Sequence, residues 1–219
     1  MIIYNPHDEA LMEERMIEAE RLLQQIPARY CFITGSFLHK KDYKDIDIFV
    51  ISRSKKDFSV DDKKAKITVI DFNGLHSLFY HSISKSCIAK SLLPTKPLKT
   101  TMSDYWNVIN EAVPTIMNRK DRYHKDVRFL VLYTEYFRNR AILDSFQLDK
   151  KIKGFKDHQD ILQYIRDNAP EAMKKNTRIS YIRRFFYTQA GYYRGLKEYA
   201  AQSFLYALAH SITRGAVDG

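Results

Sequence analysis

The chain has 219 residues, 45% of them apolar, which suffices for one large or two small domains with a real core. Its 36 Lys and Arg outnumber 26 Asp and Glu for a formal net charge of +10, which favours a polyanionic partner and disfavours a cationic substrate such as an aminoglycoside. No run of about 18 apolar residues predicts a transmembrane helix, Met1–Pro6 does not read as a signal peptide, and two cysteines, Cys31 and Cys87, make neither a disulfide framework nor a zinc site, so a reduced, cytoplasmic setting is expected.

The predicted elements begin with a helix. Asn5 reads as its N-cap and Pro6 as its first position. The run continues to about Gln25, with Leu11, Met16, Ile17, Leu22 and Leu23 near helical spacing, and Pro27 ends it. A strand over 30–33 follows, with Cys31 as a buried thiol, and runs into Gly35-Ser36. A second strand covers 45–51. After a polar stretch with a turn at Asp61-Asp62, a third covers 67–72. A helix is expected from Gly74 to about Leu92, with Leu75, Leu78, Phe79, Ile83 and Ile88 on one face. Pro94 and Pro97 then favour an extended linker. Beyond it the pattern is helical over 102–118, 124–147, 157–168 and 177–213. Pro114 is expected to kink or end the first of these, and Gly195 to divide the last.

The chemistry concentrates between the first two strands. Gly35-Ser36 closes an apolar run, and eight residues separate it from Asp45-Ile46-Asp47 at the head of another. In a strand, residues i and i+2 share a face, so Asp45 and Asp47 present two carboxylates side by side. Such a pair repels itself unless a cation intervenes. Hard oxygen ligands suit Mg²⁺, which binds through one or two carboxylates together with substrate phosphates. A Gly-Ser turn offers phosphate an approach to backbone N–H groups and a hydroxyl. Asp71 lies near the far end of the third strand. A strand aspartate without a partner is costly, so Asp71 is read as completing a metal triad.

This pattern over residues 30–72, Gly-Ser followed by Asp-x-Asp and a third acid on a later strand, resembles that of the DNA polymerase β-like nucleotidyltransferase superfamily, in particular the small prokaryotic, or minimal, type. The resemblance implies that Gly35 and Ser36 hold the triphosphate of an NTP. It implies that Asp45, Asp47 and Asp71 are the catalytic and metal residues and bind two Mg²⁺ ions. Asp71 would also help deprotonate the attacking hydroxyl. The chain departs from the minimal type after Gly-Ser. It lacks the small residue and Arg-Gly that often follow, and Lys44 stands where Ser often precedes the first Asp. Lys40, Lys41 or Lys44 is read as supplying the missing positive charge. His39 is either a nucleotide contact or a surface histidine.

The charge excess is uneven. Residues 1–100 hold 16 basic and 13 acidic groups, whereas 101–219 hold 20 and 13. Between Arg178 and Lys197, basic groups alternate with aromatics, a composition that suits phosphates and stacked bases. The aromatics also fit a packing stripe, but the arginines should face outward. Arg178, Arg183, Arg184 and Arg194 are therefore the candidate acceptor contacts. Arg122, Lys125 and Arg128 form a second basic cluster.

The expected architecture is α+β: a small mixed-sheet nucleotidyltransferase domain over 1–93, a linker over 94–100, and an α-helical bundle over 101–219 that binds the acceptor. The expected reaction is Mg²⁺-dependent transfer of NMP from an NTP to an acceptor hydroxyl, with release of pyrophosphate. An RNA end, for example a tRNA 3′ end, fits the basic second half best. A partner protein, as for an antitoxin-like enzyme, or a small molecule is the alternative. The rival of another class is a non-catalytic module that binds nucleotide, RNA or protein; retention of all three acids argues against it.

Overall fold

The computed structural model describes residues 1–53, 57–122, 125–174 and 207–208. It is a mixed α/β structure that divides into two compact units, 1–100 with 143–147, and 101–142 with 148–219. Among the described residues, no helix is long and apolar enough to cross a membrane.

The first unit is built on a five-stranded sheet. Its strands are β1 (Ile2–Tyr4), β2 (Tyr30–Thr34), β3 (Ile46–Ile51), β4 (Ala65–Ile70) and β5 (Cys87–Ala89), in spatial order β1-β5-β2-β3-β4. All neighbours are antiparallel except β3 and β4, which run parallel. The β-branched and aromatic content of β2 and β3 suits a pleated sheet buried on both sides. Alternation then sorts the side chains. Ile33, Ile46, Ile48, Val50 and Ile88 pack on one face against Met12, Ala19, Leu22 and Leu23 of helix α1 (Glu9–Gln24). Phe32, Phe49, Ile51, Cys87 and Ala89 pack on the other with Tyr80 and Ile83 of α2 (Leu78–Ile83).

Two expectations are corrected here. The N-cap of α1 is Asp8, whose carboxylate accepts from Leu11 N–H, and not Asn5. Asn5 instead has φ +40 and turns the chain out of β1, a strand not foreseen in the sequence. The helix expected from Gly74 to Leu92 is broken. A 3-10 turn over Gly74–His76 precedes α2, and Cys87–Ala89 leaves the helical pattern to become β5. The segment after Pro94 is irregular and tied down within its unit. Tyr80 Oη donates to Pro94 O at 2.7 Å, and Lys96 Nζ donates to Phe72 O at 2.7 Å.

The described part of the second unit holds α3 (Met102–Arg119), α4 (Lys125–Asn139), most of α5 (Ser145–Lys153), which begins in the first unit, and α6 (His158–Lys174). Thr101 and Asp104 form a reciprocal capping box at the start of α3. Pro114 lies inside α3 and does not end it. The helix expected over 124–147 stops at Asn139, because Arg140 turns left-handed at φ +58. Tyr105, Trp106, Ile109, Val113, Leu130, Val131, Ile161 and Ile165 are among the buried residues of this unit. The expected helix over 177–213, with Gly195, lies outside the described residues apart from 207–208.

Candidate functional site

One end of the sheet gathers the predicted turn and the first two acids. β2 ends at Thr34, which faces Asp47 in the antiparallel register. The chain then turns at Gly35, φ +85 and ψ −156, a region open essentially to glycine. A Cβ built on Gly35 stands 2.9 Å from Asp47 Oδ2. The turn and the carboxylate are thus in direct apposition, with no room for a side chain between them. Ser36 opens a 3-10 turn, Ser36–Leu38, whose apolar Phe37 and Leu38 are buried and anchor it to the core. Thr34, buried, donates its hydroxyl to Ser86 O at 2.9 Å and ties the turn to the segment that leads into β5.

Asp45 and Asp47 lie at the head of β3, each half-buried. The intervening Ile46 is fully buried on the α1 face, so alternation turns both acids to the other side. The loop from Ser36 to Asp45 is held from α1. The Arg15 guanidinium stacks over Phe37 at 5.3 Å and Tyr43 at 4.8 Å, and donates to Lys41 O at 3.0 Å. Tyr43 Oη lies 3.3 Å from the Glu18 carboxylate. Arg15 therefore ties α1 to the loop that joins the Gly35 turn to the two acids. Sequence reasoning missed it, although its position three residues after Met12 and seven before Leu22 puts it on their stripe of the helix, where a long side chain reaches out from the edge of the core.

Asp71 does not join this pair. β3 and β4 are parallel, with Asp47 opposite Lys66 and Ile51 opposite Ile70. Asp71 follows Ile70 at the far end of the strand, five residues from Lys66, roughly 16 Å away at about 3.3 Å per residue. Its carboxylate acts locally. Oδ1 accepts from Asn73 N–H at 2.8 Å and Gly74 N–H at 2.7 Å and shapes the turn before α2. An Asx turn explains an acid that strand burial did not. The three acids expected to form a triad are therefore not brought together: Asp45 and Asp47 share one end of the sheet and Asp71 lies at the other. Consistently, no group of three His, Cys, Asp or Glu among the described residues is placed to hold a metal ion.

The residue that does stand in register with Asp47 is Lys66, and its ammonium pairs with Asp45. The hydrogen bond with Asp45, and then its charge, hold the Lys66 ammonium above its usual pKa. Both side chains are partly open to solvent, 67% for Lys66 and 31% for Asp45. The pair of carboxylates fits one divalent cation shared with a phosphate. The donor set does not supply the third acid that a fully protein-held two-ion centre would use.

Of the expected phosphate-contacting lysines, Lys40 continues the 3-10 turn, its N–H donating to Ser36 O at 2.9 Å, while Lys44 is exposed beside Asp45. His39 caps the same turn and lies edge-on to Phe146, ring centroids 5.4 Å apart. Phe146 in turn stacks on His7 at 4.3 Å, and His7 Nε2 bonds the buried Asp144 at 2.8 Å. His39 thus has a packing partner within its own unit.

The second basic cluster is largely structural. Arg122 donates to the backbone carbonyls of Phe155 and Lys156, the latter at 2.9 Å, and Arg128 pairs with Asp149. The candidate acceptor contacts Arg178, Arg183, Arg184 and Arg194 lie outside the described residues.

No family model, no curated protein and no solved structure matches this chain.

Proposed function

We propose that this protein is a Mg²⁺-dependent nucleotidyltransferase that moves NMP from an NTP to a hydroxyl group of a polyanionic acceptor, an RNA end. The observation that carries the reading is the apposition of Gly35 and Asp47, a phosphate turn closed against the head of an Asp-x-Asp strand. In this reading the Gly35-Ser36 backbone and the Ser36 hydroxyl receive the triphosphate, because a side chain at position 35 is excluded. Asp45 and Asp47 hold the cation, and Arg15 keeps the connecting loop in place. Bound Mg²⁺ supplies charge neutralisation on the phosphates. The acceptor oxygen forms a bond to the α-phosphorus, the bond to the bridging oxygen breaks, pyrophosphate leaves and the hydroxyl proton passes to solvent. The net +7 of residues 101–219 supports an RNA over a cationic acceptor.

A second reading, a non-catalytic nucleotide-binding module, draws on the position of Asp71 and on the Lys66–Asp45 pair. One experiment separates the two. The protein is incubated with each NTP, Mg²⁺ and a pool of short RNAs, and pyrophosphate release and RNA mass are followed. Release that disappears in Asp47→Asn, with one nucleotide added to the RNA, is the expected result. NTP binding without pyrophosphate supports the module. Neither binding nor release removes both.

A further inference from the structure

A chain that brings two acids and one base to the same strand ends has a different charge from one that brings three acids. Asp45 and Asp47 contribute two negative charges. Lys66 sits opposite Asp47 in the backbone register and returns one positive charge, fixed on Asp45. The register makes this more than a chance surface contact. The parallel pairing of β3 with β4 is continuous from Ile46–Ala65 to Ile51–Ile70, so the strand that carries Lys66 cannot slip by one residue without turning Ile67 out of the core and Lys66 into it. Replacing an acid by a base at this place changes the local charge by two units. A second divalent ion there would face an ammonium where it needs a carboxylate.

We propose that Lys66 serves as the second positive charge of the nucleotide site, so that the protein loads a nucleoside triphosphate with one divalent cation, held by Asp45 and Asp47, where a three-acid site would load two. This rests on the reading of the site as a triphosphate site. An ammonium suits this role because it is a compact point charge with three donors on a flexible stem, able to turn from Asp45 to a phosphate oxygen when a triphosphate arrives. In the absence of nucleotide the same group offsets the repulsion between the two carboxylates. The pair is solvent-exposed, and exposed ion pairs contribute little to stability. Substitution of Lys66 therefore tests the site without dismantling the fold.

The test counts metal ions directly. Mn²⁺ bound per chain is measured by the loss of the free-ion electron paramagnetic resonance signal, with a non-hydrolysable α,β-methylene triphosphate at saturation. Wild type is expected to bind one Mn²⁺ per chain, and Lys66→Asp two. In parallel, triphosphate affinity is measured with Mn²⁺ held at one equivalent per nucleotide. Lys66→Met is expected to bind about tenfold more weakly than wild type, the effect of one lost charged hydrogen bond, with its melting temperature unchanged. Two Mn²⁺ ions on wild type, one on a folded Lys66→Asp, or wild-type affinity in Lys66→Met would each overturn the proposal. Triphosphate binding by neither wild type nor variant is a distinct result: it removes the triphosphate reading itself, and the role of Lys66 with it.

Discussion

Gly35, just past the end of β2, leaves the space that Asp47 of β3 borders: a single Cβ on the glycine would stand 2.9 Å from the Oδ2 atom of the aspartate. Two costs coincide at this position, backbone strain at φ +85 and contact with a carboxylate oxygen. Gly35→Ala is expected to destabilise the protein by about 1–3 kcal/mol from backbone strain alone. It is also expected to push the Asp47 carboxylate aside and, on the proposed reading of the site, to weaken triphosphate binding. Chemical denaturation of a double-mutant cycle with Asp47→Ala checks the contact. The cost of Gly35→Ala is expected to be smaller in the Asp47→Ala background, because the clashing oxygen is gone while the strain remains. Strict additivity would mean that the two residues do not press on each other.

Asp71 has a structural role at the opposite end of the sheet. Asp71→Ala removes the acceptor for the Asn73 and Gly74 N–H groups. The expected loss is about 1 kcal/mol, comparable to that of a helix cap, with triphosphate affinity at the wild-type value. Asp47→Asn is expected to show the reverse: a stability at or above wild type in metal-free buffer and no nucleotide transfer. Melting curves and calorimetric titration of both variants read out the contrast. Loss of nucleotide binding in Asp71→Ala with its fold intact would restore the third acid.

Glu135 is expected to contribute to the acid sensitivity of the second unit. Burial pushes its carboxyl pKa up, but hydrogen bonds from Lys151, Tyr164 and Asn139 outweigh burial and hold it below the usual carboxylate value. A lowered native pKa means that the ionised form stabilises the fold above the unfolded-state pKa. That contribution is lost as pH falls through the native value. Stability at neutral pH is therefore expected to exceed that in acid below the ordinary glutamate range of about 4.3. Glu135→Gln is expected to be less stable at pH 7 and to show a flatter decline. Urea unfolding at a series of pH values from neutral down to about 3, below that ordinary value, reads this. An unchanged slope in Glu135→Gln would show that other groups drive the acid response.

The two thiols are predicted to be silent. Cys31 and Cys87 are both fully buried. Burial pushes the Cys31 thiol up to about 11, partly offset by the charge of Lys90, and drives Cys87 upward as well. The thiolate is the reactive form. Neither residue is expected to react with an aromatic disulfide reagent at pH 8 until the protein unfolds, when two thiols per chain appear together. Release of one equivalent under native conditions would place that cysteine at an accessible surface.

Much of the first unit was legible in the sequence because its signals are local. Short apolar, β-branched runs marked β2, β3 and β4, and the acids of Asp45-Ile46-Asp47 share a face by strand geometry alone. Gly35 was readable as a turn because few other residues tolerate its backbone. Elements whose state depends on distant partners were not legible. Cys87–Ala89 fits a helical stripe as well as a strand, and it becomes β5 because β1 and β2 lie on either side of it. The three residues of β1 carry too little pattern to register, and they exist as a strand only through β5, more than eighty residues away.

The sequence by itself determined a glycine turn followed by a strand headed by paired carboxylates, since turn and strand geometry are properties of a few consecutive residues. Only the tertiary structure decided which charged group stands beside that pair. Lys66 lies within β4 and Asp71 just past its end, and either is compatible with the strand's apolar alternation. The register between β3 and β4 brings Lys66 to Asp45 and Asp47 and carries Asp71 to the far end. Register is set by how Ile46, Ile48, Val50 and Ile67 fill the core against α1, a packing constraint that no window of neighbouring residues contains.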